Sequence, residues 1–186
     1  MASQVSRRRD NFLRGSFFAC LSMAIASVGI CCAATGAAQP DDTTTRDMGA
    51  MNGVFHVTEN GEWAKTNEVY HDEAVVQSTW TVTSSCVNPL DCHGKVHSDQ
   101  GWSADISNTS GLWFLKRDLP AWYACPDGSP VPAQQVLRFY PAGNEGFMTV
   151  GSPTWAGESI TTGLTGACGV NRSVVVRMPL TLVRIS

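Results

Sequence analysis

The sequence predicts an all-β fold, a single antiparallel β-sandwich or β-barrel domain, and three observations predict it. Glycine and proline, 17 and 9 of the 186 residues, break the chain about every ten positions, with β-branched and aromatic residues filling the gaps. Two stretches alternate apolar and polar side chains with the period of a strand, which sends successive side chains to opposite faces. Helical periodicity is nearly absent.

Residues 1–38 are set apart from that domain. Arg7, Arg8, Arg9 and Arg14 crowd the start, Gly15 to Ala38 carries no charge, and Ala33-Ala34-Thr35-Gly36-Ala37-Ala38 is a small-residue exit. A basic head, an apolar middle and a small-residue end form the layout of an export signal. Cleavage after Ala38 is the preferred site. Two rival readings stand beside it: an uncleaved anchor, since ~20 apolar residues span a bilayer, and a lipoprotein modified at Cys31. Ser6-Arg7-Arg8-Arg9-Asp10-Asn11-Phe12-Leu13-Arg14 resembles a bacterial twin-arginine signal with one residue too many before Phe12, so the twin-arginine and general secretory routes both remain open.

Setting the segment apart changes the charge and the cysteine count. The precursor has net charge -3, whereas residues 39–186 hold 9 Lys plus Arg against 15 Asp plus Glu, a net of -6. Without a basic stripe, nucleic acid is excluded as a partner, and the scattered Lys and Arg argue against an anionic membrane surface. Any membrane contact is expected only through an uncleaved N-terminal segment. Of seven cysteines, Cys20, Cys31 and Cys32 fall in the segment, leaving Cys86, Cys92, Cys125 and Cys168. An even number in an exported domain reads as two disulfides. Of the three possible pairings, the favoured one joins Cys86 to Cys92, clipping a Pro89-containing hairpin, and Cys125 to Cys168.

Residues 39–51, with Asp41-Asp42-Thr43-Thr44-Thr45, read as a flexible linker, and residues 52–186 as the exported all-β domain. Phe55 and Val57 fit a short first strand. Val76, Ser78, Trp80 and Val82 alternate with Gln77, Thr79, Thr81 and Thr83. Further strands are expected over 95–98, 112–117, 135–140 and 146–150. The last strand places Val174, Val176, Met178, Leu180 and Leu182 on one face; Pro179, lacking an N–H, should mark an edge or a bulge there. A short helical turn over 68–75 is the weakest element. Turns are signalled at Asn60-Gly61, Ser110-Gly111, Pro126-Asp127-Gly128 and Gly143 to Gly146.

Little in this pattern points to catalysis. The chain after residue 38 has no Gly-x-Ser-x-Gly elbow and no Gly-rich phosphate loop. His56, His71, His93 and His97 are candidate bases for a triad, and Asp72, Glu73, Asp99, Asp105 and Asp118 are candidate acid–base carboxylates, with no pair standing out. Cys92, His93 and His97 have chelating residue types. On an extended chain, however, the two histidines stand about 13 Å apart at ~3.3 Å per residue. No metal site and no cofactor are expected.

The tryptophans carry more information. Trp80 has a core position on its strand. Trp102, Trp113, Trp122 and Tyr123 are the candidate ligand-binding residues, because exposed indoles and phenols mark binding surfaces.

Three segments, Gly61-Glu62-Trp63-Ala64-Lys65-Thr66-Asn67-Glu68, Ser78-Thr79-Trp80-Thr81-Val82-Thr83 and Ser98-Asp99-Gln100-Gly101-Trp102-Ser103, together with the four cysteines, resemble a family of small exported mycobacterial proteins. That resemblance implies export and the cell envelope and offers no catalytic residues to carry over. The Trp80 strand ending in Cys86 and returning through Cys92 also resembles extracellular sensor regions of mycobacterial receptor kinases, which implies a binding role. Gly61-Glu62-Trp63 is similar to the Gly-x-Trp of lipocalins. The sequence therefore points to a secreted or envelope-associated, non-catalytic binding module whose partner is an envelope component or a small ligand. The alternatives are a secreted hydrolase with a histidine-containing site and a lipocalin-like carrier.

Overall fold

Antiparallel strands close into a barrel in the computed structural model, which describes residues 49–186. The export-like segment and most of the predicted linker lie outside the described residues. β1 (Gly53–Glu59) leads through a 3-10 turn at Gly61–Trp63 to a small hairpin, β2 (Lys65–Thr66) and β3 (Val69–Tyr70). Then follow β4 (Val76–Asn88), β5 (Asp91–Ser98), β6 (Ser103–Thr109), β7 (Leu112–Ala124), β8 (Pro130–Pro141), β9 (Thr154–Gly163) and β10 (Val175–Arg184). Around the sheet the order is β1-β4-β5-β6-β7-β8-β9-β10, and β10 returns to pair with β1. Of the two architectures the sequence allows, closure selects the barrel, of eight strands, with β2 and β3 appended along the free stretch of β10.

Period-two alternation fills the barrel. Phe55 and Val57 on β1, Trp80 and Val82 on β4, Val96 on β5, Ile106 on β6, Trp113 and Leu115 on β7, Leu137 and Phe139 on β8, Trp155 on β9, and Leu180 and Leu182 on β10 are buried together. Eight strands leave an interior just wide enough for side chains to fill. Burying one large apolar side chain contributes about 1.5–3 kcal/mol relative to exposing it, so this layer supplies most of the driving force for closure. Gly157, on the inner face, sits so close to the Arg138 carbonyl that a Cβ there would collide with backbone. It lets β9 bend tightly against β8 where the wall curves.

Pro179 lies inside a strand paired on both sides, yet the expectation of an edge is met locally. Its carbonyl accepts from the Asn60 N–H, and a residue's N–H and C=O point the same way across an antiparallel ladder. The missing donor therefore faces the break where β1 ends and β2 takes over as the neighbour of β10. No ladder bond is lost.

Four elements depart from the sequence expectations. Residues 146–150 belong to the β8–β9 loop, whose strand-like pairing is a single bridge between Ala142 and Met148. The stretch 68–75 is not helical: Asn67 and Glu68 take left-handed φ values to turn the β2–β3 hairpin. β6 and β9 were not anticipated, because their inward positions are partly small or polar: Ala104 and Asn108 on β6, Gly157, Ser159, Thr161 and Gly163 on β9. Met51, the last residue of the predicted linker, is fully buried and exchanges two hydrogen bonds with Ser84.

Both favoured disulfides form, Cys86 with Cys92 across the β4–β5 hairpin and Cys125 with Cys168 between the end of β7 and the β9–β10 loop. Their sequence separations are 6 and 43, for which loop entropy gives about 2 and about 4 kcal/mol. Replacing Cys125 and Cys168 together by alanine should therefore lower unfolding free energy by roughly twice as much as replacing Cys86 and Cys92. Urea titration of the two double variants checks this, and equal losses would show that chain entropy is not what the long bridge supplies.

Candidate binding site

The interior is chemically uneven along the barrel axis. Its middle is an aromatic layer in which Trp155 meets Phe55, Trp113 and Phe139 edge-to-face, with ring centroids 6.1–6.3 Å apart. Trp80 meets Phe139 in the same manner at 6.2 Å. Such pairs add about 0.5–1.5 kcal/mol each beyond area burial. The indole N–H groups of Trp80, Trp113 and Trp155 are buried without a hydrogen-bond acceptor among the described residues.

One end, called here the Trp102 end, is closed by a polar network. The Arg117 guanidinium lies 4.1 Å from the Trp102 ring centroid, and Trp102 packs edge-on against Trp80 at 5.4 Å. Arg117 Nε donates to Gln135 Oε1 at 2.6 Å. Gln135 Nε2 donates to Glu59 Oε2 and to Ser159 Oγ, each at 2.9 Å. Glu59, Gln135 and Ser159 are buried. Burial pushes the Glu59 carboxyl above its ordinary value, against the pull of Ser159, of the Arg117 charge and of Gln135. Burial also lowers Arg117, and Glu59 raises it; a guanidinium stays charged in any case.

The opposite end, marked by the β6–β7 turn at Ser110-Gly111, holds a cavity of about 330 Å³. Trp113 and Trp155 form part of its wall, with Asn108, Leu90, Met148, Val150 and Arg184 around them and Gly49 and Ala50 completing the side nearest the chain entry. Asn108 is 3% exposed. Its Oδ1 accepts from the Gly111 N–H at 2.8 Å, while its Nδ2 donates to nothing among the described residues. Arg184 continues the inward-facing alternation of β10 to the rim, where its guanidinium lies 5.3 Å from the Phe55 ring centroid. Phe147, Met148 and Val150 of the β8–β9 loop are exposed beside the mouth. That loop is ordered by its own bonds, including Gly143 N–H to Phe147 O and Thr149 N–H to Pro141 O.

The four candidate residues from the sequence do not share one surface. Trp113 is fully buried at the cavity wall. Trp102 is half-buried at the other end. Trp122 and Tyr123 form an edge-to-face pair at 5.2 Å on the distal part of β7, where Trp122 lies over Gly163 in the space a Cβ there would need. The four histidines are exposed. His97 Nδ1 meets Ser103 Oγ at 2.8 Å on the outer wall, but no carboxylate orients that pair among the described hydrogen bonds. Cys92 is consumed in its disulfide, while His93 and His97 lie on the opposite, outer face of β5. The five candidate carboxylates sit in loops or on the outer surface. Trp63 of the Gly-x-Trp turn is 63% exposed and does not plug the barrel.

Sequence reasoning missed Glu59, Asn108, Arg117, Gln135, Trp155 and Arg184. Strand parity carried a signal for some of them. Glu59 shares its face with Phe55 and Val57, and Gln135 shares its face with Leu137 and Phe139.

No family model matches the chain, and no curated protein matches it in sequence. Among solved structures, the monomer form of the M. tuberculosis PknI sensor domain is similar in fold, with a TM-score of 0.51 at 15% identity, covering 73% of this chain and 87% of that one.

The Glu59 network makes a pH prediction. A folded carboxyl that holds its proton more tightly than the unfolded one contributes fully below the ordinary glutamate value of 4.5 and loses that contribution as pH rises through its elevated folded value. Glu59→Gln removes this dependence. Urea midpoints of the variant should therefore fall less than wild type between about pH 4.5 and neutrality, and parallel profiles would show that Glu59 does not titrate differently on folding.

Proposed function

We propose that this protein is an extracytoplasmic, non-catalytic sensing or binding module, secreted or held at the cell envelope. In this reading residues 1–38 direct export, residues 39–51 link, and residues 52–186 form the working domain. The observation that carries it is the cavity in a disulfide-stapled closed barrel, a fold shared with a sensor domain. Disulfides persist in oxidising compartments outside the cytosol, in keeping with the export layout of the N-terminus. Trp113 belongs to the small-ligand cavity. Trp102, Trp122 and Tyr123, at the far end, are then available to a larger envelope partner. The cavity also favours a second reading, a released carrier of a small ligand. A histidine-based hydrolase has less support, since the interior presents Glu59, Gln135 and Arg117 and no histidine.

Fractionation of cells expressing the full chain tests the proposal. The protein should appear outside the cytoplasm, shift mobility between non-reducing and reducing electrophoresis, and offer no alkylatable thiol from Cys86, Cys92, Cys125 or Cys168 until reduced. A cytoplasmic protein with those four thiols free would overturn it.

A further inference from the structure

Resting on the reading of the barrel as a binding module, we infer that the cavity at the Gly111 end is a site for a small aromatic carboxylate. Its size, about 330 Å³, is at the lower end of the roughly 300–1,000 Å³ found for small-molecule sites, which selects a compact ligand. Its inner wall is two indoles, Trp113 and Trp155, set edge-to-face at 70°. Trp113 is fully buried and Trp155 only 4% exposed, so a flat ligand ring would meet the accessible edge of Trp155 rather than an open indole face. The rim adds Leu90, Met148 and Val150, three apolar side chains more than half exposed or nearly so, whose area a ligand body would remove from water.

Polarity fixes the other end of the ligand. Asn108 is buried, lines the cavity, and has its carbonyl already engaged by the Gly111 N–H. What it has left is the Nδ2 donor pair, so the matching ligand group is an acceptor. That donor faces the cavity rather than the packed interior, so a ligand oxygen would take the place of water there. Arg184 is the cationic side chain lining the cavity, and no lining residue is acidic. It forms no ion pair among the described residues. A guanidinium and an amide donor at one cavity, with no acid beside them, fit a carboxylate better than a neutral or cationic group. The Trp102 end offers no equivalent, because there a buried carboxyl, Glu59, stands beside Arg117 and Gln135.

The test uses the chain purified with both disulfides intact and 1-naphthoate as the probe, followed by tryptophan quenching and calorimetry. One equivalent should bind per chain. Naphthalene-1-methanol, which keeps the rings and loses the charge, should bind roughly 10- to 100-fold more weakly, the worth of one charge-assisted hydrogen bond. Arg184→Gln and Asn108→Asp should each weaken the acid by a similar factor; the latter keeps the acceptor for Gly111 and removes the donor. Val150→Trp, on an exposed loop position outside the packed core, should block the mouth and abolish binding while leaving the melting temperature near wild type. Failure of 1-naphthoate to bind at millimolar concentration, binding that survives Val150→Trp, or equal affinity for the alcohol would overturn the assignment. Those results with export and disulfides intact remove the ligand class alone, whereas cytoplasmic retention with free thiols removes the module itself.

Discussion

Closure of β10 onto β1 is the constraint from which the rest of the molecule follows. An open eight-stranded sheet could bury its apolar face against a second layer. A closed one must fill its own lumen from inward side chains, strand by strand. The lumen combines a few very large aromatic residues with Val, Ile and Leu side chains around them. Three tryptophans and two phenylalanines occupy the middle, and glycine at position 157 gives up volume where the wall turns tightly. The edge-to-face geometry is the solution for several rings confined to one cylinder, since face-to-face stacking would repel the ring quadrupoles. Burying three indole N–H groups without acceptors among the described residues is the accompanying cost.

The two ends of the barrel solve the same problem in opposite ways. At the Trp102 end a buried carboxyl and a half-buried guanidinium are bridged by an amide. Gln135 accepts from Arg117 and donates to Glu59, so neither charge faces an apolar wall alone. A buried carboxylate left by itself would cost several kcal/mol; here desolvation still outweighs the attractive contacts enough to raise the Glu59 pKa. The end is thereby sealed. At the Gly111 end the polar residue is Asn108, with half its hydrogen-bonding capacity spent on a turn, and the space next to it is open. Fold closure demands neither the gap nor the exposed apolar loop beside it, and this asymmetry is the reason the Gly111 end is proposed as the site.

The sequence made the architecture readable where side chains alternate cleanly between apolar and polar, as in 76–83 and 174–182. The compartment implies two disulfides, and the Pro89-containing turn between Cys86 and Cys92 favours the pairing that the structure has. The sequence was silent on β6 and β9 because a barrel lumen does not require every inward residue to be apolar: Asn108, Ser159 and Thr161 face inward yet read as surface or loop residues in isolation. The site was harder still. Trp113 could be singled out as an aromatic, but whether it belonged to core or cavity depends on which strands curve beside it, a matter of long-range register. Glu59 and Gln135 meet across 76 positions of chain, and no local pattern announces such a contact.

The cavity wall also bears on how occupancy could be felt elsewhere. A ligand shifts a conformational equilibrium only through contacts that differ between two states. Most of this wall cannot differ: β7 and β9 are paired on both sides, and Leu90 sits on a hairpin clipped by the Cys86–Cys92 bridge. Two parts are less constrained. One is the β8–β9 loop, fixed mainly by its internal hydrogen bonds. The other is Gly49-Ala50, joined to the barrel through Met51 and its two bonds to Ser84. The second is the path by which the domain connects to everything N-terminal of it. In the proposed site a pre-formed pocket would bind at low ordering cost, and the two less constrained parts of its wall, the β8–β9 loop and Gly49-Ala50, are where occupancy could be reported.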